Sequence, residues 1–117
     1  MSTKTSLIKK CLPCEGGLKP LSRVELKNKL VSLKNWKVTS DSKVIQADWI
    51  MKNFVAAVKL INQIAQIAES ENHHPDIHLT GYRNLTVSLT THAIKGLSEN
   101  DFILAEKINQ LPKDLKL

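Results

Sequence analysis

The chain has 117 residues, of which 42% are hydrophobic, 24% charged and only 4% aromatic. That length fits one domain able to bury roughly 65% of its unfolded surface, and the balance of apolar and charged residues excludes a disordered chain. The formal charge of +6 would suit a nucleic-acid binder, but residues 1–37 hold nine Lys/Arg against Glu15 and Glu25, while the rest holds eight against nine acids. No interleaving of basic and aromatic residues accompanies the charge. It reads as a solvated face, and no nucleic-acid partner is expected. No apolar run approaches spanning length and the N-terminus has no apolar signal core, so a cytoplasmic protein without membrane contact is expected.

Residues 1–21 form an arm rich in Lys, Gly and Pro without periodicity, expected to be partly ordered. The domain is placed at residues 22–117. Cys11 and Cys14 make a lone C-x-x-C in the arm. A structural zinc site needs four ligands and no second Cys pair exists. Gly16, Gly17 and Pro20 follow where a thioredoxin-type motif would open a helix, so a reduced pair of minor structural weight is expected.

Ser22 through Glu25 read as a capping box, and Val24, Leu26, Leu30, Val31 and Leu33 supply the apolar stripe of a short helix. Strands follow near residues 36–39 and 44–49, with Asp41-Ser42 as turn residues. The strongest helical pattern covers residues 51–70: Phe54, Val58, Ile61, Ala65 and Ala68 recur at three- and four-residue spacing, widened by Ala57, Leu60 and Ile64. The period then becomes two. Ile77, Leu79 and Gly81 alternate with polar residues; beyond a connection at Arg83-Asn84, Leu85, Val87 and Leu89 alternate with Thr86, Ser88, Thr90 and His92. Ser98 to Asp101 form a second capping box. The last helix carries Phe102, Ile103, Ala105 and Ile108 and stops before Pro112. The order α-β-β-α-β-β-α implies an α+β domain, a four-stranded and mostly antiparallel sheet with helices packed on one face.

All four histidines fall between positions 73 and 92. His73-His74 stand where the long helix gives way to a strand, and Pro75 biases His74 to an extended backbone. His92 ends the polar face of the last strand, so a closed hairpin returns it towards the pair. Imidazoles gathered in one cleft suit proton transfer near neutral pH, and neighbouring ones can divide acid and base work. His78 has no special spacing and reads as a surface residue. Adjacent histidines on extended backbone diverge, unlike i, i+4 ligands on a helix, so no metal is expected. Taken alone, Asp101 is the acidic member of its capping box and Trp36 a core residue.

Glu69, His73-His74-Pro75, Tyr82, Leu89-Thr90-Thr91-His92 and Gly96-Leu97-Ser98 leading to Asp101 together resemble the pterin-4a-carbinolamine dehydratase family. Trp36 and Phe54 fall where that family also places aromatics, and residues 11–21 resemble the leader of many microbial members. The resemblance implies a concave sheet face with the pterin near Asn72, His73, His74 and Pro75 on one side and Thr90, Thr91, His92 and Ala93 on the other. Asn72 and Ala93 would contribute mainly through backbone, Trp36 would border the ring, and Glu69 and Asp101 would support it. It also implies dehydration of a 4a-hydroxytetrahydropterin to the quinonoid dihydropterin, with His74 as principal acid/base and His73 and His92 orienting the hydroxyl or exchanging the second proton. No cofactor is implied, the pterin being substrate, and a homodimer or homotetramer is expected. Relatives that act as dimerisation or assembly modules give the competing reading.

Overall fold

The computed structural model describes residues 19–117; the Cys11–Cys14 pair lies outside them. Helix α1 (Arg23–Val31) starts at Ser22, whose Oγ accepts from the Glu25 N–H at 3.2 Å while its own N–H donates to the Glu25 carboxylate at 3.0 Å. Strands β1 (Trp36–Val38) and β2 (Ile45–Ile50) lead to helix α2 (Phe54–Glu71), then strands β3 (Asp76–Thr80) and β4 (Asn84–Leu89), a 3-10 turn (His92–Ile94) and helix α3 (Glu99–Gln110). The sheet order is β1-β2-β4-β3, every pairing antiparallel.

The alternation along each strand decides which face the helices cover. Trp36, Ile45, Ala47, Trp49, Leu85, Val87 and Leu89 are buried, whereas Lys37, Asp48, Ile50 and Asn84 are exposed. Beneath the buried face lie Leu26 and Leu33, then Ala57, Leu60, Ile64 and Ala68 of α2, and Phe102, Leu104, Ala105 and Ile108 of α3. Each fully buried Leu or Ile there contributes roughly 1.5–3 kcal/mol. Ile77 and Leu79 of β3 are only half-buried, because β3 is an edge strand.

Three local expectations change. In α1, Val24 and Val31 point to solvent at 69% and 82% exposure. They lie seven residues apart on one helix face, and Leu26, Leu30 and Leu33 take the other. In α2 the buried seam runs through Ala57, Leu60, Ile64 and Ala68, and Phe54, Val58 and Ala65 are exposed. The helix is apolar around so much of its circumference that the expected stripe contains the whole buried seam but extends past it on one edge. The β3–β4 connection is Gly81-Tyr82-Arg83, and Asn84 already pairs with Thr80. Gly81 and Tyr82 both take positive φ, 52° and 56°, which places the reversal two residues early.

Candidate functional site

The site begins with how α2 ends. Asn72 adopts the left-handed conformation (φ 50°, ψ 41°), and its N–H reaches the Ala68 and Glu69 carbonyls. The His73 N–H also returns to Ala68 O, at 3.2 Å. This αL termination satisfies the last helical carbonyls and turns the chain sharply. Consecutive residues then meet opposite environments: His73 is 5% exposed and His74 is 55% exposed. Pro75 follows, and β3 begins at Asp76.

His73 points its Nε2 at Asp101 Oδ1, 2.7 Å away, on the first turn of α3. Asp101 is fully buried, and its second oxygen accepts from the Ser98 backbone N–H at 2.9 Å and from the Thr91 hydroxyl at 2.8 Å. Thr91 Oγ1 also lies 2.7 Å from Ser98 Oγ. An ionised carboxylate only accepts hydrogen bonds, so the hydrogen in the His73–Asp101 contact belongs to Nε2. That leaves Nδ1 as the free nitrogen of His73. His74 repeats the arrangement outside: its Nε2 lies 2.5 Å from Glu69 Oε2, one turn back on α2, and Glu69 is 77% exposed. Nδ1 is again the free nitrogen.

The register of β3 and β4 brings the second segment alongside. Asp76 opposes Ser88, so the start of β3 and the end of β4 lie at the same end of the sheet, and His73 and Thr91 meet there on the Asp101 carboxylate. Thr91 exchanges backbone hydrogen bonds with Gly96, closing a short loop whose first residue is His92. His92 and Ala93 are exposed, and Lys95 ends the loop in the left-handed conformation with its N–H on His92 O. The continuous path from His73 through Asp101 to Thr91 and on to His92 gathers the three segments at one end of the sheet.

Not every expected site residue joins them. Trp36 sits on the buried face of β1, the edge strand farthest from β3, at 5% exposure. Its indole N–H donates to Asn109 Oδ1 at 2.8 Å and its ring meets Trp49 edge-on. Its place is the core, because residue 36 shares strand parity with Val38 and not with exposed Lys37. Thr90 is half-buried and its hydroxyl donates to Lys43 O at 2.6 Å. Thr91 is wholly buried. It continues the inward series Leu85, Val87, Leu89, a signal the alternation already contained. Asn72 is exposed beside the histidine pair, and His78 lies exposed on the open face of β3.

Sequence reasoning found Ser98 and Asp101 as a capping box but not that the box reaches His73, 28 residues away, and Thr91. Among the described residues no three His, Cys, Asp or Glu side chains converge as a metal ion would require, each carboxylate here facing a different histidine. Nor is any helix among them long and apolar enough to cross a membrane.

The family described as pterin 4 alpha carbinolamine dehydratase matches residues 19–111. A Halorhodospira halophila protein with pterin-4-alpha-carbinolamine dehydratase in its name is 42% identical over 103 residues, covering 88% of this chain and 94% of that protein. A mitochondrial pterin-4-alpha-carbinolamine dehydratase 2 of Arabidopsis thaliana is 41% identical over 106 residues, 88% of this chain and 57% of its own length. The crystal structure of a transcriptional coactivator/pterin dehydratase from Brucella melitensis superposes with a TM-score of 0.74 at 30% identity, covering 78% of this chain and 96% of that one. With the family match spanning nearly all of the described residues and relatives above 40% identical over most of the chain, the chain belongs to the pterin-4a-carbinolamine dehydratase family.

Proposed function

We propose that the chain dehydrates a 4a-hydroxytetrahydropterin to the quinonoid dihydropterin and water, by general acid–base catalysis from His73, His74 and His92. The reaction takes hydroxide from C4a and a proton from N5, so one proton must be delivered to the leaving oxygen and one accepted from nitrogen. The observation that carries the reading is the pair of adjacent histidines, each with Nε2 on its own carboxylate and each with Nδ1 left over.

His74 is the principal acid/base residue in this reading. It is the accessible member of the pair, and Glu69 meets its Nε2. His73, held by Asp101, orients the hydroxyl or exchanges the second proton together with His92. Neutral imidazole changes charge near pH 6.5, so either direction of transfer is within reach at neutral pH. Asn72, Pro75 and Ala93 would border the flat heterocycle, with Asn72 and Ala93 acting mainly through backbone. Thr90 would shape its side of the cleft.

Decay of freshly formed 4a-hydroxypterin, followed spectroscopically with catalytic amounts of protein, tests the activity. Acceleration by the wild-type chain is expected. His74→Ala should lower kcat by about 10²–10⁴-fold, the usual reach of general acid–base catalysis, with the circular dichroism spectrum unchanged. A folded His74→Ala protein with full kcat would remove His74 from the mechanism. Recycling of the pterin cofactor of aromatic hydroxylation, and a cytoplasmic setting, belong to the same proposal.

A second reading, a dimerisation or assembly module, draws on the coactivator wording attached to the Brucella relative and on the outer arc of α2. There Phe54, Val55 and Val58 are 53%, 73% and 36% exposed. A homodimer or homotetramer would cover part of such an arc. The two readings are compatible, since the arc holds none of the three histidines.

A further inference from the structure

The hydroxyl of Thr91 is the group whose purpose the proposed reaction leaves open. A threonine lining a polar cleft would turn its hydroxyl outward to a ligand. Thr91 is wholly buried, and its Oγ1 is engaged on two sides, at 2.8 Å from Asp101 Oδ2 and 2.7 Å from Ser98 Oγ. Only one assignment of hydrogens satisfies every partner. The Ser98 oxygen accepts from the backbone N–H groups of Asn100 and Asp101, so its own hydrogen is free to go to Thr91. Thr91 then spends its single hydrogen on Asp101, which only accepts. His73 donates Nε2–H to the other oxygen of the same carboxylate. The chain of donors runs one way, from Ser98 to Thr91 to Asp101, with His73 donating from the opposite side.

From this we infer that Thr91 is a positioning residue, not a substrate contact: its hydroxyl and backbone together set both the tautomer of His73 and the placement of His92. The first effect passes through Asp101. With Oδ2 occupied by Thr91 and by the Ser98 N–H, the carboxylate cannot rotate, and Oδ1 stays aimed at Nε2. The Nε2–H form is thereby selected, and Nδ1 keeps its lone pair for chemistry. The second effect passes through the backbone: the Thr91 N–H on Gly96 O at 2.9 Å closes the loop that His92 opens. One residue thus couples a buried imidazole to an exposed one across two elements. The inference rests on the dehydratase reading for its kinetic consequence and on the hydrogen-bond geometry for the rest.

Thr91→Val keeps the shape and removes the hydroxyl, and Thr91→Ser restores it. A hydrogen bond to a charged group is worth roughly ten- to hundredfold in an equilibrium or rate. Thr91→Val should therefore lower kcat by about that factor with KM within about twofold, and Thr91→Ser should recover most of it. Nitrogen-15 spectra of the His73 ring should show Nε2–H in the wild type and in Thr91→Ser, and a tautomer mixture in Thr91→Val. A rise in KM alone would make Thr91 a substrate contact, and an unchanged tautomer in folded Thr91→Val would sever it from His73; either result overturns the inference. Should Thr91→Val not fold, the wild type decides: a buried, donated hydroxyl gives a slowly exchanging proton resonance, and its absence is equally fatal. If the wild-type protein fails to dehydrate the carbinolamine, the functional reading falls, while the tautomer and hydroxyl measurements still judge Thr91.

Discussion

Two histidine–carboxylate pairs sit back to back in this molecule, built from consecutive residues and alike in their chemistry. His73–Asp101 is closed in, with its members 5% and 0% exposed; His74–Glu69 stands in solvent at 55% and 77%. The left-handed Asn72 makes the difference, sending one ring under α3 and the next outward. Burial changes what the same contact means. In the interior a charge that loses its partner has no water to replace it, and each oxygen of Asp101 is tied to a neighbour that cannot move far. In solvent an ion pair is screened and worth under about 1 kcal/mol. The inner pair fixes geometry, and the outer pair leaves its histidine free to exchange protons.

The sharpest way to break this contrast is Asp101→Ala. It strips a buried histidine of its partner, leaves the Thr91 hydroxyl without an acceptor and removes the reciprocal half of the α3 capping box. The His73, Thr91 and Ser98 donors are all left without their acceptor, and an unsatisfied buried donor typically costs about 1–3 kcal/mol each. For a domain of this size, that lowers the thermal midpoint by more than about 10 °C. Unfolding followed by circular dichroism measures it, and a loss below about 1 kcal/mol would mean that the inner pair is no more structural than the outer one.

Asp101→Asn asks a finer question at smaller cost. The amide has one oxygen, which the Ser98 N–H and the Thr91 hydroxyl both require. Its NH₂ group must then face His73 Nε2, turning that nitrogen into an acceptor and moving the ring hydrogen to Nδ1. The fold should survive with a loss of about 1–2 kcal/mol, while kcat falls by roughly ten- to hundredfold because the wrong tautomer faces outward. Nitrogen-15 shifts of the ring distinguish this from simple unfolding. Retention of Nε2–H in a folded Asp101→Asn protein would show that the carboxylate does not choose the tautomer.

The inner pair also marks where sequence reasoning stops. Element order was readable because hydrophobic spacing switches cleanly between strand and helix periods, and both capping boxes were local patterns that form as written. The edge of the buried arc of α2 was not readable, since Val55, Val58, Ile61 and Ala65 are as apolar as the seam that is buried. The histidines were legible as residue types placed at the junctions of a hairpin. Their partners were not all so: Glu69 lies one turn before His74, but Asp101 is 28 residues from His73, and only the packing of α3 against the end of α2 joins them. The burial of Thr91 and Trp36 has a simpler source: Trp36 lies on the inward parity of β1, and Thr91 continues the inward series of β4 beyond Leu89.

The smallest expected effect belongs to the outer pair, and it completes the comparison because the chemical change is the same as at Asp101. In Glu69→Gln the side chain is 77% exposed and free to rotate. Its amide oxygen can turn towards His74 Nε2, and water can satisfy the NH₂ group, so neither tautomer is forced. The thermal midpoint should stay within about 2 °C, consistent with an exposed pair worth a few tenths of a kcal/mol. The value of kcat should change no more than about threefold. Raising salt to about 1 M, where the Debye length is roughly 3 Å, should shrink even that difference, because what Glu69 adds is a screened charge and not a locked geometry. A loss as large as that of Asp101→Asn, persisting in high salt, would mean that substrate binding dries the outer pair and makes it the equal of the inner one.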